Sequence, residues 1–179
     1  MRVFFAIEFN NEIKDYLYSL QQKVREYCVG GNFSHRENFH LTLRFIGEQN
    51  PQQVEVLKKV LEEAAAGISP FELRLRNIGS FDKGNKKILW AGLDKSAELQ
   101  NLYQKLEFCL ERYGYQKEDR PYSPHITLAR EVRLGNTSHN ISKTFVSSLP
   151  VKVNNISLME SSRINNKLTY TALYRAGLN

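Results

Sequence analysis

His40-Leu41-Thr42-Leu43 and His125-Ile126-Thr127-Leu128 are two copies of one tetrapeptide pattern, set 85 residues apart. In each copy apolar residues alternate with His and Thr. That is the period of a β-strand, on which side chains at i and i+2 share a face. His40 and Thr42 therefore fall on one face with Arg44 beyond them, and Leu41, Leu43 and Phe45 fall on the other. His125 and Thr127 likewise share a face opposite Ile126 and Leu128. Each strand is expected to anchor in a core through its apolar face and to present imidazole and hydroxyl on the other. One such copy would read as a structural histidine. Two copies from only four histidines read as a site.

The same offset reaches further along the chain. Val3–Phe9, a strand rich in Val, Phe and Ile, lands on Ile88–Asp94. The helical face Ile13, Leu17, Leu20 and Val24 lands on the helix carrying Leu99, Leu102, Leu106 and Leu110. Phe71–Ile78, which alternates cleanly, lands on Ile156–Arg163. Two similar α+β lobes related by a pseudo-twofold are predicted.

Local signals set the boundaries. Asn10 or Asn11 caps the first helix and Gly30-Gly31 ends it. Phe39–Ile46 is a strand. Asn50-Pro51 opens a second helix with Val54, Leu57, Leu61 and Ala64 on its apolar face, and Gly67 stops it. Asp82–Asn85 turns the chain back into Lys87–Leu93, and Gly114 stops the third helix. Ser123–Ala129 is a strand. Val151–Ser161 and Leu168–Tyr174 form a closing hairpin that turns near Asn165-Asn166. Residues 131–150 are polar and fit either a short helix or a loop; they hold the only counterpart to the second helix.

The 179 residues, 41% of them hydrophobic, suit a single domain spanning 1–179. No run approaches the roughly 20 apolar residues of a membrane span. The opening MRVFFAIEFN reads as a strand rather than a signal peptide. Cys28 and Cys109 lie in helical patterns without a C-x-x-C and read as reduced thiols, which favours the cytoplasm. The net charge of +6 favours anionic partners such as RNA and phosphates. Lys83, Lys86 and Lys87 read as a solvated turn. Nothing suggests an obligate oligomer, so a monomer is the default.

Two imidazoles suit the opening of a cyclic phosphodiester. One takes a proton from attacking water and the other gives one to the leaving ribose oxygen. Imidazole titrates near pH 6.5, so one can start neutral and the other protonated. In-line displacement puts nucleophile and leaving group on opposite sides of phosphorus, and two pseudosymmetric strands supply that opposition. Thr42 and Thr127 can donate to non-bridging phosphate oxygens. No cofactor or metal is expected, because Asp and Glu do not cluster around either motif.

At these residues the sequence resembles the two-histidine phosphoesterase superfamily, and most closely the RNA 2′,3′-cyclic phosphodiesterases, also called 2′-5′ RNA ligases. The resemblance includes Phe4-Phe5-Ala6-Ile7, the segment Glu37–Glu48 around the first motif, Leu89-Trp90 before Gly92, and Arg120–Arg130 around the second. It implies a bilobal α+β fold, each lobe an antiparallel sheet with helices on its outer face and the active-site cleft between the sheets. It implies hydrolysis of RNA 2′,3′-cyclic phosphate ends to 2′-phosphomonoesters. It implies His40 as proton donor and His125 as acceptor, a direction that the near-symmetric residues leave open by themselves. Arg130 matches an Arg found after the second motif in the family, although strict alternation would put it on the face opposite His125. Arg44 is a second candidate for substrate, from its place on the face of His40. Phe9, Tyr122 and Phe81 are candidates to stack a terminal base. His35 and His139 are assigned no role.

Two other readings compete. A 2′-5′ oligonucleotide phosphodiesterase or reversible 2′-5′ RNA ligase would use the same four residues. An RNA-end binding module without turnover would tolerate the loss of one His, and neither is lost here. A metal site at His40 and His125 would make activity sensitive to chelation.

Overall fold

The computed structural model describes residues 1–135, 141 and 149–179. His139 and most of the polar 131–150 segment lie outside the described residues. In chain order the elements are β1 (Arg2–Glu8), α1 (Asn11–Arg25), β2 (Asn32–Phe33), a single 3-10 turn (Arg36–Asn38), β3 (His40–Glu48), α2 (Pro51–Ala65), β4 (Phe71–Lys83), β5 (Lys86–Leu93), α3 (Ala97–Arg112), β6 (Ile126–Val132), β7 (Pro150–Val153), β8 (Asn155–Ile164) and β9 (Lys167–Gly177). They form two antiparallel sheets, ordered β3-β1-β8-β9 and β2-β6-β5-β4-β7. Among the described residues no helix is long and apolar enough to cross a membrane.

The 85-residue offset carries β1 onto β5, β3 onto β6 and β4 onto β8. Under that mapping the run β3-β1-β8 becomes β6-β5-β4, which is the order found in the other sheet. The third strand of each repeat is therefore exchanged. β4 hydrogen-bonds to β5 of the second repeat, and β8 hydrogen-bonds to β1 of the first.

Caps fix the helices where the sequence marks them. Asn10 accepts from the Ile13 amide at 3.0 Å. Asn50 and Gln53 exchange two 2.8 Å bonds in a capping box ahead of Pro51, worth about 1 kcal/mol for the side-chain cap. α2 packs on β8 and β9 and against α3, and α1 packs against β6. Their leucine and valine stripes join the core faces of both sheets in one large cluster. Val3 to Ile7 of β1 are buried on both faces. Val3, Phe5 and Ile7 enter the main core, while Phe4 and Ala6 join Met159, Tyr170 and Ala172 on the opposite side. Phe4 and Tyr170 on that second side also line a surface cleft, so β1 has apolar residues on both faces and shows no clean alternation. Both cysteines are free thiols, Cys109 buried and Cys28 half-buried.

Two boundaries differ from the sequence expectation. α1 ends at Arg25, and Gly30-Gly31 instead bends the chain into β2; a Cβ on Gly31 would meet the Val132 side chain at 2.9 Å, and its φ is +143°. Val151–Ser161 is two strands in different sheets. Buried Val151 and Val153 pair with β4, exposed Asn154 and Asn155 break the alternation, and Ile156–Met159 are buried on both faces beside β1. The closing hairpin turns through Asn165 and Asn166 at φ +50° and +63°, the left-handed pair that a two-residue turn needs.

Candidate active site

β3 and β6 belong to different sheets but approach each other. The Tyr122 hydroxyl, three residues before His125, donates to the Thr42 backbone carbonyl at 3.0 Å. This bond ties the two motifs together. His40, Thr42, His125, Thr127, Arg130 and Tyr170 all line one cleft of about 570 Å³.

Both imidazoles are held in the same way. His40 Nδ1 lies 2.7 Å from the Asn38 carbonyl, and His125 Nδ1 lies 2.7 Å from the Ser123 carbonyl. A carbonyl can only accept, so each Nδ1 carries the proton and each neutral ring keeps Nε2 as its basic atom. The Thr42 hydroxyl, 2.9 Å from His40 Nε2, donates to it in the neutral state. Asn38 is itself clamped: its side-chain amide donates to Leu168 O at 2.8 Å, and its Oδ1 accepts from the Tyr170 amide at 3.3 Å. Asn38 is a positioning residue that no periodicity signals.

Aromatic rings wall both histidines. Phe4 and Tyr170 sit 4.9 and 5.0 Å from the His40 ring, and Phe81 meets the His125 ring edge-on at 4.9 Å. Both histidines are half-buried. Burial pushes His40 down to about 4, aided by the Arg130 and His125 charges and opposed by the Asn38 carbonyl and Glu8. Burial also lowers His125, again with Arg130 adding to it and the Ser123 carbonyl opposing it. Both rings are therefore neutral at pH 7.

Strict alternation fails at matching places in the two motifs. In β1–β3 pairing Phe5 faces Arg44 and Ala6 faces Thr42, so Leu43 is an extra residue. In β5–β6 pairing Leu89 faces Ala129 and Trp90 faces Thr127, so Leu128 is extra. Each bulge reverses the phase of the residues beyond it. Arg130 thereby swings onto the face of His125 and Thr127 and lines the cleft. By the same reversal Arg44 leaves the face of His40, and Phe45, 46% exposed, takes its place in the cleft wall. Arg44 instead pairs with buried Glu107 at 2.8 Å and Glu118 at 3.0 Å and donates to the Gln116 carbonyl. The sequence expectation placed Arg44 on the face of His40; in the structure it does not line the cleft and is held by these partners.

The stacking candidates are also redistributed. Phe9 is core, and Tyr122 stacks on Tyr103 at 4.1 Å while bonding Thr42. Phe81 backs His125. The aromatic side chains that line the cleft are Phe4, Phe45 and Tyr170, and the Arg2 guanidinium lies 5.0 Å over the Phe45 ring. Among the described residues no group of three or more His, Cys, Asp and Glu stands close enough to hold a metal ion.

Comparisons with known proteins agree with this architecture. A curated RNA 2′,3′-cyclic phosphodiesterase of Thermotoga maritima is 30% identical over 131 residues, covering 73% of this chain and 70% of the relative. That of Methanothermobacter thermautotrophicus is 25% identical over 131 residues, covering 73% and 71%. Among solved structures, TT0787 of Thermus thermophilus superposes with a TM-score of 0.83 at 25% identity, covering 99% of this chain and 98% of that one. E. coli LigT in apo form superposes with a TM-score of 0.78 at 27% identity, covering 99% and 96%. LigT has also been solved in complex with 3′-AMP. The family model described as the 2′-5′ RNA ligase superfamily matches residues 17–165, and with both motifs inside that span the chain belongs to this superfamily.

Proposed function

We propose that the chain is an RNA 2′,3′-cyclic phosphodiesterase that uses His40 and His125 as an acid–base pair. The observation that carries this reading is the shared tethering of the two rings, each with Nδ1 on a carbonyl and both lining one cleft with Thr42, Thr127 and Arg130. The cyclic phosphate sits between the rings. His125 Nε2 takes a proton from water as the water oxygen bonds to phosphorus. The P–O3′ bond breaks on the opposite side, and protonated His40 Nε2 delivers its proton to O3′. The products are a 2′-phosphomonoester and a free 3′-hydroxyl. Thr42 and Thr127 donate to the non-bridging oxygens, and Arg130 offsets the charge that builds there. His40 is neutral at pH 7 by itself, so it gains its proton as the anion enters.

One copy of the chain supplies every group, so a monomer suffices. Residues 1–179 act as one domain, since each sheet contains strands from both repeats. The same groups would serve a second nucleophile. A 5′-hydroxyl in place of water would form a 2′-5′ linkage, in keeping with the family's description.

The test is incubation with a cyclic-phosphate-ended oligonucleotide in EDTA. A 2′-phosphate product is expected. A 3′-phosphate would reverse which oxygen leaves, loss of activity with EDTA would overturn the metal-free mechanism, and no product at all would overturn the enzyme reading.

A further inference from the structure

The catalytic cleft opens into a second groove of about 890 Å³, and the two share His40, Thr127, Arg130, Arg163, Leu168 and Tyr170 along their walls. The groove runs between β2, with the end of α1 behind it, and the β8–β9 turn. We propose that it is the track for the nucleotides upstream of the cyclic end, so that the preferred substrate is an oligonucleotide rather than a cyclic mononucleotide. This rests on the phosphodiesterase reading above. A 2′,3′-cyclic phosphate occurs at the 3′ terminus, so the rest of the strand must leave the cleft on its 5′ side, and this groove continues from His40 and Arg130.

Its chemistry fits a single strand. Arg25, Arg130, Arg163 and Lys167 line it, and none of them forms an ion pair with a carboxylate among the described residues. The carboxylate on its wall, Glu131, is 3.7 Å from Lys86 and accepts from the Asn32 amide. Unneutralised cations lining one groove repel one another, and successive phosphates would offset that repulsion. The Arg25 guanidinium lies 4.3 Å over the Phe33 ring. This stack leaves the outer face of an exposed guanidinium as a flat platform for a base of any sequence. Asn32, Asn165 and Asn166 add side-chain amides that can reach ribose hydroxyls and phosphates.

The experiment compares a 2′,3′-cyclic mononucleotide with a cyclic-ended decanucleotide, using wild type, Arg25→Ala, Arg25→Lys and Lys167→Ala. Wild type is expected to favour the decanucleotide by about tenfold in kcat/KM. Arg25→Ala and Lys167→Ala each lower kcat/KM for the decanucleotide about three- to tenfold, mainly through KM, and leave the mononucleotide within about twofold. Arg25→Lys keeps the charge but loses the planar stack, and recovers only part of the loss. Equal effects on both substrates, or none on either, would overturn the track. Binding of a labelled decanucleotide ending in a 2′-phosphate gives a readout independent of turnover. If neither substrate is cleaved, the phosphodiesterase reading fails, while weaker binding by the two alanine variants still supports the groove and unchanged binding removes it.

Discussion

The buried side-chain amide of Gln21 donates to the carbonyl of Leu128 at 2.8 Å. Leu128 is the extra residue of the β6 bulge, whose carbonyl also accepts from the Ser34 amide. The second hydrogen of the Gln21 amide goes to the Ser34 carbonyl, also at 2.8 Å. A helix side chain thus secures the irregularity that turns Arg130 toward the cleft. Gln21→Leu removes two hydrogen bonds, one of the two that the Leu128 carbonyl accepts and one to the Ser34 carbonyl, and is expected to cost about 1–3 kcal/mol in denaturant unfolding. It should also lower kcat/KM. In an Arg130→Ala background that catalytic loss should largely vanish, whereas a merely structural role would give losses that add.

Removing either imidazole should cost about 10²–10⁴ in the single-turnover rate, the range for positioned general acid–base groups. If the two rings act as a pair, as proposed, His40→Ala and His125→Ala together should cost far less than the product of the two. His125→Ala should still bind a 2′-phosphate-ended RNA.

Burial holds His40 at about 4, against 6.5 for a free imidazole, which gives pH dependence a definite sign. Below pH 6.5 the unfolded chain takes up a proton that the folded ring refuses. Stability therefore falls as pH drops from 6.5 toward about 4 and levels off for this group below that. Between pH 7 and pH 5 the expected loss is about 2 kcal/mol from His40, with His125 acting in the same direction. Replacing His40 by Ala should flatten that part of the profile in denaturant titrations. The limbs of the kcat/KM bell, which report the free enzyme, should lie below the ordinary imidazole value.

Filling the cleft with an anion should draw a proton onto one of these rings. Inorganic phosphate binding at pH 6 is therefore expected to show net proton uptake, read by calorimetry in buffers of different ionisation enthalpy. Release of protons, or none exchanged, would contradict protonation on binding.

Gly79 faces Trp90 across the β4–β5 ladder, and a Cβ there would run into the indole six-membered ring. That indole packs against Phe81, which supports His125. Gly79→Ala should destabilise the fold by about 1–3 kcal/mol and lower activity through a displaced His125. Thermal unfolding alongside kinetics checks both.

Much of this molecule is legible in its sequence because repetition and period carry it. The 85-residue offset, the caps at Asn10 and Asn50 and the turn at Asn165-Asn166 all sit where residue types place them. Arg44 and Arg130 show where the period misleads. A strand pattern assumes two residues per repeat, and one inserted leucine exchanges the faces of the residues that follow it, up to the next irregularity in the ladder. The adjacent buried pair Leu128-Ala129 was the available signal. β2 is two residues long, too short for any period, and it finds its place only by pairing with Arg130 and Ala129. The break within Val151–Ser161 has two exposed asparagines as its mark, but which sheet each half joins is decided by tertiary packing.

The exchanged strands β4 and β8 also determine what a broken chain could do. Severing the backbone between Leu93 and Ser96 would give an amino-terminal piece holding β1 and β3 without β8, and a carboxy-terminal piece holding β6 without either of its neighbours β2 and β5. Each piece keeps one histidine motif and lacks partners for its own strand edges. Neither should turn over substrate alone, and mixing the two should restore turnover only as they fold around one another. The active site thus exists solely where the two halves of the chain are interlaced.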